Sequence, residues 1–330
     1  MPVVDLPSTT TPLPPLYARW LDAMLGAPTP KEIDATCDDC AAAKPPPMGS
    51  RWDPHGRCCT YLPQLPNFLL GGALSDDAVL APASVEARIA AREGMSPLGA
   101  GWTRAFAEAW QTHEAWFGRD VALRCPHYVE EGDRCGVWKY RNAVCGTYFC
   151  RTVRYGHGRR FWEAARDLLR TLESDLSSWC LRELGVAADD WGTYAGREAE
   201  LYRACFALVA PLEWSDVVTR CRPLDAEIAA LRALHTALIH PRLPLVLQLA
   251  PVRYAPSPDD PSIEILSPEA NDNSIVADET MKRLVARFDG RRATIVVQRE
   301  LRDEGIDVGR VTLQRLVDLG ILVEPKRDAT

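Results

Sequence analysis

Apolar residues recur every three or four positions through most of the chain, which is the spacing of amphipathic helices. The clearest run covers residues 161–184, and Gly185 directly after it is a favourable residue for ending a helix. Another run covers 82–93, with Ser84 as its expected N-cap. The same spacing predicts further helices over 16–25, 102–116, 196–211 and 224–239. The aromatic residues of the 102–116 helix are interpreted as core.

The pattern changes after Pro241. Apolar residues over 245–254 and 263–266 predict two strands joined by a segment with three prolines. Further along, the chain is expected to turn at Asp289-Gly290. Helices are predicted over 278–288, 293–304 and 311–319, and a final strand over 321–323. This order of two strands, three helices and one strand predicts a winged-helix-like module.

These patterns divide the chain into four parts. They are an N-terminal arm over 1–35, a helical cysteine-cluster metal-binding domain over 36–240, a winged-helix-like module over 241–325 and a tail over 326–330. Trp20, Met24 and Leu25 are expected to dock the arm on the body. Residues 61–72, with two prolines and two glycines among apolar positions, predict a rigid buried loop over the cysteines. The predicted fold class is mostly α, with a loop-rich cysteine-cluster domain and a small α+β C-terminal module.

The composition is that of an ordinary globular protein, with 330 residues, 47% of them apolar and 25% charged. No run approaches the roughly 18 apolar residues of a membrane span, and no secretory signal is visible at the start. We therefore expect a cytoplasmic location and no membrane partner. A net charge of −7 argues against a nucleic-acid partner. The arginines at positions 151, 154, 159 and 160 are interpreted as a solvated helix start.

Cysteine is the residue type that changes this picture, with 11 in the chain. In a reducing compartment, clustered cysteines indicate a metal-binding or catalytic site more often than disulfides. Eight of them cluster, at Cys37, Cys40, Cys58, Cys59, Cys125, Cys135, Cys145 and Cys150. No strand precedes the C-x-x-C at Cys37, which favours chelation over a thioredoxin-like motif. The isolated Cys180, Cys205 and Cys221 are interpreted as small buried apolar residues.

Thiolate chemistry then predicts what the eight cysteines bind. Four thiolates close a tetrahedral zinc site, and an iron–sulfur cluster usually takes four cysteines as well. Eight cysteines therefore suit two four-sulfur sites, or one site plus spare thiols. The predicted cofactor is an iron–sulfur cluster, with 4Fe–4S favoured, or Zn²⁺. His55 and His127 lie beside cysteines and could replace a ligand, but the eight cysteines suffice without them.

The second cysteine group also resembles a known family. The segment Cys135-Gly-Val-Trp-Lys-Tyr-Arg-Asn-Ala-Val-Cys145-Gly-Thr-Tyr-Phe-Cys150, with Cys125-Pro before it, resembles the second half of the YkgJ-like cysteine cluster family, described as zinc- or iron-chelating. Arg141 occupies the arginine position of that pattern, and Asn142 stands where proline is common. The first half of the pattern is C-x-x-C-x-x-C-C. Cys37, Cys40, Cys58 and Cys59 would supply it here, with 17 residues between Cys40 and Cys58.

This resemblance implies a metal-binding protein. The family includes flagellin lysine-N-methylases, so an iron–sulfur-dependent protein lysine methylase is an alternative, although the chain has no G-x-G-x-x-G loop. The C-terminal segments Phe288-Asp-Gly-Arg-Arg-Ala and Leu316-Val-Asp-Leu-Gly-Ile-Leu resemble PqqD-like peptide-recognition domains. That likeness implies a peptide or protein partner, added as a strand to a sheet edge. A peptide-binding module with a structural metal site is therefore a second alternative, and catalysis stays open.

Overall fold

Helices make up about 53% of the described residues, and the strands among those residues are short and antiparallel. The computed structural model describes residues 13–32, 59–77, 82–113, 123–131, 134–149, 152–189, 192–257, 260–271 and 273–325. This confirms the mostly α fold class. Within these ranges, no helix combines the length and the apolar character that crossing a bilayer requires.

The first part of the chain contains nine helices and five strands of two residues each among its described residues. In chain order they are α1 (Pro15–Leu25), β1 (Leu65–Pro66), α2 (Asn67–Ser75), α3 (Pro82–Ala91), β2 (Met95–Ser96), β3 (Gly99–Ala100), α4 (Arg104–His113), β4 (Tyr128–Val129), β5 (Arg134–Cys135), α5 (Ala143–Thr147), α6 (Gly156–Glu183), α7 (Glu198–Val209), α8 (Trp214–Arg220) and α9 (Asp225–Ile239). All the helices predicted from apolar spacing are confirmed, except that 114–116 lie outside the described ranges. The short α5 and α8 were not predicted.

The long helix α6 lies at the centre of the larger core, which we call the helical core. Its buried residues include Phe161, Leu169 and Leu176, with α1, α7, α8 and α9 packed around them. The predicted docking of the N-terminal segment is confirmed, because Trp20 and Met24 on α1 are fully buried. Leu25 is partly buried against the same core.

The segment 61–72 is not the loop that its prolines and glycines suggested, because α2 begins at Asn67. Pro66 stands at the N-cap position of this helix, where proline interrupts no helical hydrogen bond. The glycines serve close packing rather than a turn. A Cβ atom on Gly71 would lie 1.8 Å from the carbonyl oxygen of Tyr202 on α7, and one on Gly72 would lie 2.4 Å from the ring of Tyr140.

The C-terminal part mixes strands and helices. It comprises β6 (Val246–Leu249), β7 (Val252–Pro256), β8 (Glu264–Pro268), β9 (Ile275–Val276), α10 (Glu279–Ala286), β10 (Asp289–Ala293), α11 (Thr294–Asp303), α12 (Arg310–Asp318) and β11 (Leu322–Val323). The three predicted helices and the final strand are confirmed. The turn expected at Asp289-Gly290 is wrong, because both residues belong to β10. Gly290 has a φ of +78° inside an irregular stretch of that strand, which is a local conformation that glycine adopts easily.

Two antiparallel sheets organise this part. In one, β6 lies between β10 and β11, and in the other β8 lies between β7 and β9. The three helices pack with these strands around a second core, the C-terminal core. Its fully or almost fully buried residues include Phe288, Leu301, Leu316 and Ile321.

Arg154 connects the two cores. Its guanidinium binds both carboxylate oxygens of Asp318 at the end of α12, at 3.0 and 2.8 Å. It also donates to the carbonyl oxygens of Ala237 (2.6 Å) and Leu238 (2.9 Å) near the end of α9. The solvated interpretation of this arginine is therefore wrong, since only 13% of its side chain is exposed. Arg154 and Tyr155 both have positive φ, so the turn before α6 is conformationally strained.

Candidate functional site

Four of the eight predicted ligands lie among the described residues, namely Cys59, Cys125, Cys135 and Cys145. Cys37, Cys40, Cys58 and Cys150 lie outside them. Within the described ranges, no three His, Cys, Asp or Glu residues form a group that could hold a metal ion. The eight-cysteine ligand set therefore stays a prediction.

Segments from both halves of the predicted cysteine pattern nevertheless lie side by side. The backbone N–H of Cys125 donates to the carbonyl oxygen of Cys59 at 2.6 Å, although 66 positions separate them in the chain. The β4–β5 hairpin then places Cys135 opposite Tyr128. The N–H of Gly136 donates to the carbonyl oxygen of His127 at 2.7 Å, which holds the two arms of the hairpin together.

Cys125 begins a tight turn. The N–H of Tyr128 donates to the carbonyl oxygen of Cys125 at 3.0 Å. Burial raises the pKa of this thiol to about 12, although the His127 N–H and the nearby Arg88 act in the opposite direction, and Cys135 adds to the rise. The thiol is therefore protonated at neutral pH unless a cation binds the sulfur.

Helix α3 supplies the positive charge beside this turn. Arg88 is buried, and its guanidinium donates to the carbonyl oxygen of Gly101 at 2.6 Å. Its charge favours the thiolate form of Cys125. Ser84 lies one helical turn earlier on the same face, inside α3 rather than at the N-cap predicted for it. Its hydroxyl lies 2.7 Å from Nδ1 of His127.

His127 is completely buried beside the cysteine turn. Among the described residues its Nε2 has no hydrogen-bond partner, whereas Nδ1 lies against Ser84. Burial and, to a smaller extent, the charge of Arg88 lower the pKa of His127 to about 3, so the ring is neutral at physiological pH. Sequence reasoning left this histidine out of the ligand set. The signal that could have included it was its position two residues after Cys125.

A second set of contacts fixes Cys145 in α5. The side chain of Asn142 accepts from the Cys145 N–H at 3.0 Å and donates to the carbonyl oxygen of Gln64 at 3.0 Å. Arg141 donates to the Cys145 carbonyl oxygen at 3.1 Å, and its guanidinium lies 3.4 Å from the ring centroid of Trp138. Both backbone polar groups of Cys145 are thus held. The asparagine at 142 acts as a helix N-cap, which a proline could not do through its side chain.

Below α5 lies a buried acid on α6. Oε1 of Glu173 accepts from the N–H of Ala143 at 2.5 Å and from the Tyr17 hydroxyl. Burial raises the pKa of Glu173 to about 7, although both hydrogen bonds and Arg170 act in the opposite direction. The Cys145 segment therefore rests on a carboxyl group that holds its proton more tightly than an exposed glutamate does.

An aromatic cluster covers the other side of the site. It consists of Tyr61, Trp102, Phe106 and Trp110, and every pair of ring centroids is 5.2 to 6.5 Å apart. These are the distances of rings in direct contact, so the cluster is packed core, as predicted for α4. Burial raises the pKa of Tyr61, and the nearby Cys145 is the second cause. The cluster is thus an apolar wall beside the cysteines.

The three isolated cysteines lie elsewhere in the protein. Cys180 on α6 and Cys205 on α7 are fully buried, as predicted. The Cys180 thiol lies 3.7 Å from the Cys205 carbonyl oxygen, and its pKa is raised by a hydrogen bond with the Cys205 thiol and then by burial. Cys221 is only partly buried. None of the three belongs to the site around Cys125.

Comparison of the chain with protein-family models, curated proteins and solved structures found no match. The interpretation of the site therefore rests on its own residues. These are a partly buried thiol at Cys125, a second thiol nearby at Cys135, a buried neutral imidazole and a buried guanidinium. Sulfur and imidazole nitrogen are the donor atoms that zinc and iron–sulfur centres use.

Proposed function

We propose that this protein binds Zn²⁺ or an iron–sulfur cluster on its clustered cysteines. The observation that carries the proposal is the hydrogen bond between the Cys125 N–H and the Cys59 carbonyl, because it joins the two halves of the cysteine pattern. The proposed ligands are Cys37, Cys40, Cys58, Cys59, Cys125, Cys135, Cys145 and Cys150. Arg88 would offset part of the negative charge of the bound thiolates.

The surroundings of Cys125 favour metal binding over nucleophilic catalysis. A catalytic cysteine needs a lowered pKa and access to its substrate. Cys125 is only partly buried, but the pKa of its thiol is raised to about 12. Such a thiol reacts poorly, but a bound metal cation would remove its proton and stabilise the thiolate. The proposed centre then orders the loops that carry the cysteines, and metal binding contributes free energy of folding.

Metal content measured on the full-length chain tests this function. We expect protein purified without oxygen to contain zinc or iron in near-stoichiometric amount, by mass spectrometry, with visible absorbance if iron–sulfur is bound. Cys135→Ser and Cys145→Ser should lose metal, because each removes a proposed ligand. Cys205→Ser is the matched control and should keep the full content, since Cys205 lies in the helical core. Wild-type protein with neither zinc nor iron would rule the function out.

A second candidate function is peptide binding by the winged-helix-like C-terminal part. The features of one of its sheets support this candidate. β9 forms an edge of the β7–β8–β9 sheet and carries Val276. On one face of that sheet Ala255, Ile265 and Val276 lie in a row, and Val276 is 55% exposed. Peptides selected from a displayed random library should bind wild type and lose binding to Val276→Asp. Equal binding to both proteins would remove this candidate.

A further inference from the structure

His127 has an arrangement that the eight-cysteine set does not explain. Its ring is completely buried, and Nε2 has no partner among the described residues. A buried polar atom without a partner costs free energy, so native proteins nearly always satisfy such atoms. The backbone of His127 is held in the hairpin, because its carbonyl oxygen accepts from the N–H of Gly136.

The other ring nitrogen is held in the way that metal ligands require. Histidine ligands usually donate their second N–H to an oxygen atom, which fixes both the tautomer and the ring orientation. Nδ1 of His127 lies 2.7 Å from the Ser84 hydroxyl, on a helix packed beside the cysteine turn. With the proton on Nδ1, the lone pair is on Nε2, the nitrogen without a partner.

Resting on the metal-binding function proposed above, we infer that Nε2 of His127 is a ligand of the metal centre that includes Cys125. The centre then contains a nitrogen donor as well as sulfur. Mixed sulfur and nitrogen tetrahedra are typical of structural zinc sites, whereas a 4Fe–4S cluster usually takes four cysteines. The inference therefore selects Zn²⁺. Binding transfers the thiol proton of Cys125 to solvent, and the imidazole binds without losing a proton.

X-ray absorption at the zinc edge on the wild-type chain tests the inference directly. We expect a first shell of sulfur plus nitrogen, with the outer-shell scattering of an imidazole ring. His127→Gln should lose the imidazole signal and keep the sulfur shell. Ser84→Ala should keep the shell and weaken Zn²⁺ binding about 10- to 100-fold in competition with a chromophoric chelator, because it removes the orienting partner.

His235→Gln is the matched control, since His235 is also buried but bonds the Pro28 carbonyl oxygen in the helical core. It should change neither the shell nor the affinity. His127→Cys covers the case in which the glutamine variant does not fold, and it should retain metal with a purely sulfur shell.

The outcomes separate this inference from the function on which it rests. A wild-type centre of zinc or iron with sulfur ligands alone overturns the role of His127 and leaves metal binding intact, and a buried water would then satisfy Nε2. Wild-type protein without zinc or iron overturns both. An imidazole signal that persists in His127→Gln also overturns the assignment.

Discussion

Glu173 shows how a single residue can make stability depend on pH. Burial raises its pKa to about 7 from the ordinary 4.5, so the folded protein holds this proton more tightly than the unfolded chain does. The resulting stabilisation is fully present below about pH 4.5 and is lost as the pH rises through 7. Tyr17, Arg170 and the Cys145 segment surround the group, and burial raises the pKa of Tyr17 above its ordinary value of 10, so Tyr17 stays neutral across this range.

Replacing this carboxyl with an amide should remove that pH dependence. Between pH 5 and pH 8 we expect the free energy of unfolding of wild type to fall by roughly 2–3 kcal/mol more than that of Glu173→Gln, in urea titrations. Glu163→Gln, on an exposed part of the same helix, should behave like wild type. Identical pH dependence in wild type and Glu173→Gln would contradict the assigned cause.

For single residues, the sequence indicated which residue type forms the site better than it indicated what each residue contacts. The cysteine spacing indicated a shared site, and Cys59, Cys125 and Cys135 do lie in adjoining segments. The burial of His127 and Glu173 could not be predicted, because their partners come from distant positions. Ser84 lies 43 positions before His127, and Ala143 lies 30 positions before Glu173.

Helix α2 shows why local sequence signals fail where tertiary packing determines which secondary structure a segment adopts. Proline and glycine usually interrupt regular structure, so 61–72 suggested a loop. Pro66 instead precedes the helix, and Gly71 and Gly72 let it approach α7 and the Tyr140 ring closely. Gly290 misled in the same way, since it suggested a turn but lies within β10. By contrast, α6 was predicted well because its apolar spacing continues without a break from 161 to 184.

A single methyl group should test the close approach of α2 to α7. In Gly71→Ala the new Cβ would overlap the Tyr202 carbonyl oxygen, so we expect a loss of about 3 kcal/mol or more in the free energy of unfolding. Gly156→Ala is the control, because no atom lies within 4 Å of its added Cβ. It should change stability by no more than about 1 kcal/mol. Chemical denaturation that finds equal effects for the two variants would refute the packing argument.

For the molecule as a whole, the ion pair between Arg154 and Asp318 joins the helical core to the C-terminal core. Only 13% and 7% of these side chains are exposed, so removing one charge leaves the other buried and unpaired. Arg154→Ala should therefore lower the free energy of unfolding by about 3–5 kcal/mol. Arg159→Ala, which breaks the exposed pair with Glu163, should cost less than about 1 kcal/mol. Comparable losses of unfolding free energy in the two variants would show that the Arg154–Asp318 ion pair contributes little to stability.

The order of strands in the C-terminal sheet has a consequence for protein synthesis. β6 is the central strand, yet its two neighbours, β10 and β11, follow 40 or more positions later. During translation β6 therefore leaves the ribosome with both edges unpaired, and its sheet closes only after Val323 has emerged. The buried residues of the helical core all lie before the end of α9, and among the contacts described above only those of Arg154 involve later residues. The helical core can therefore form while the C-terminal sheet is still being synthesised. Until then, the nascent chain exposes a strand that other chains could pair with.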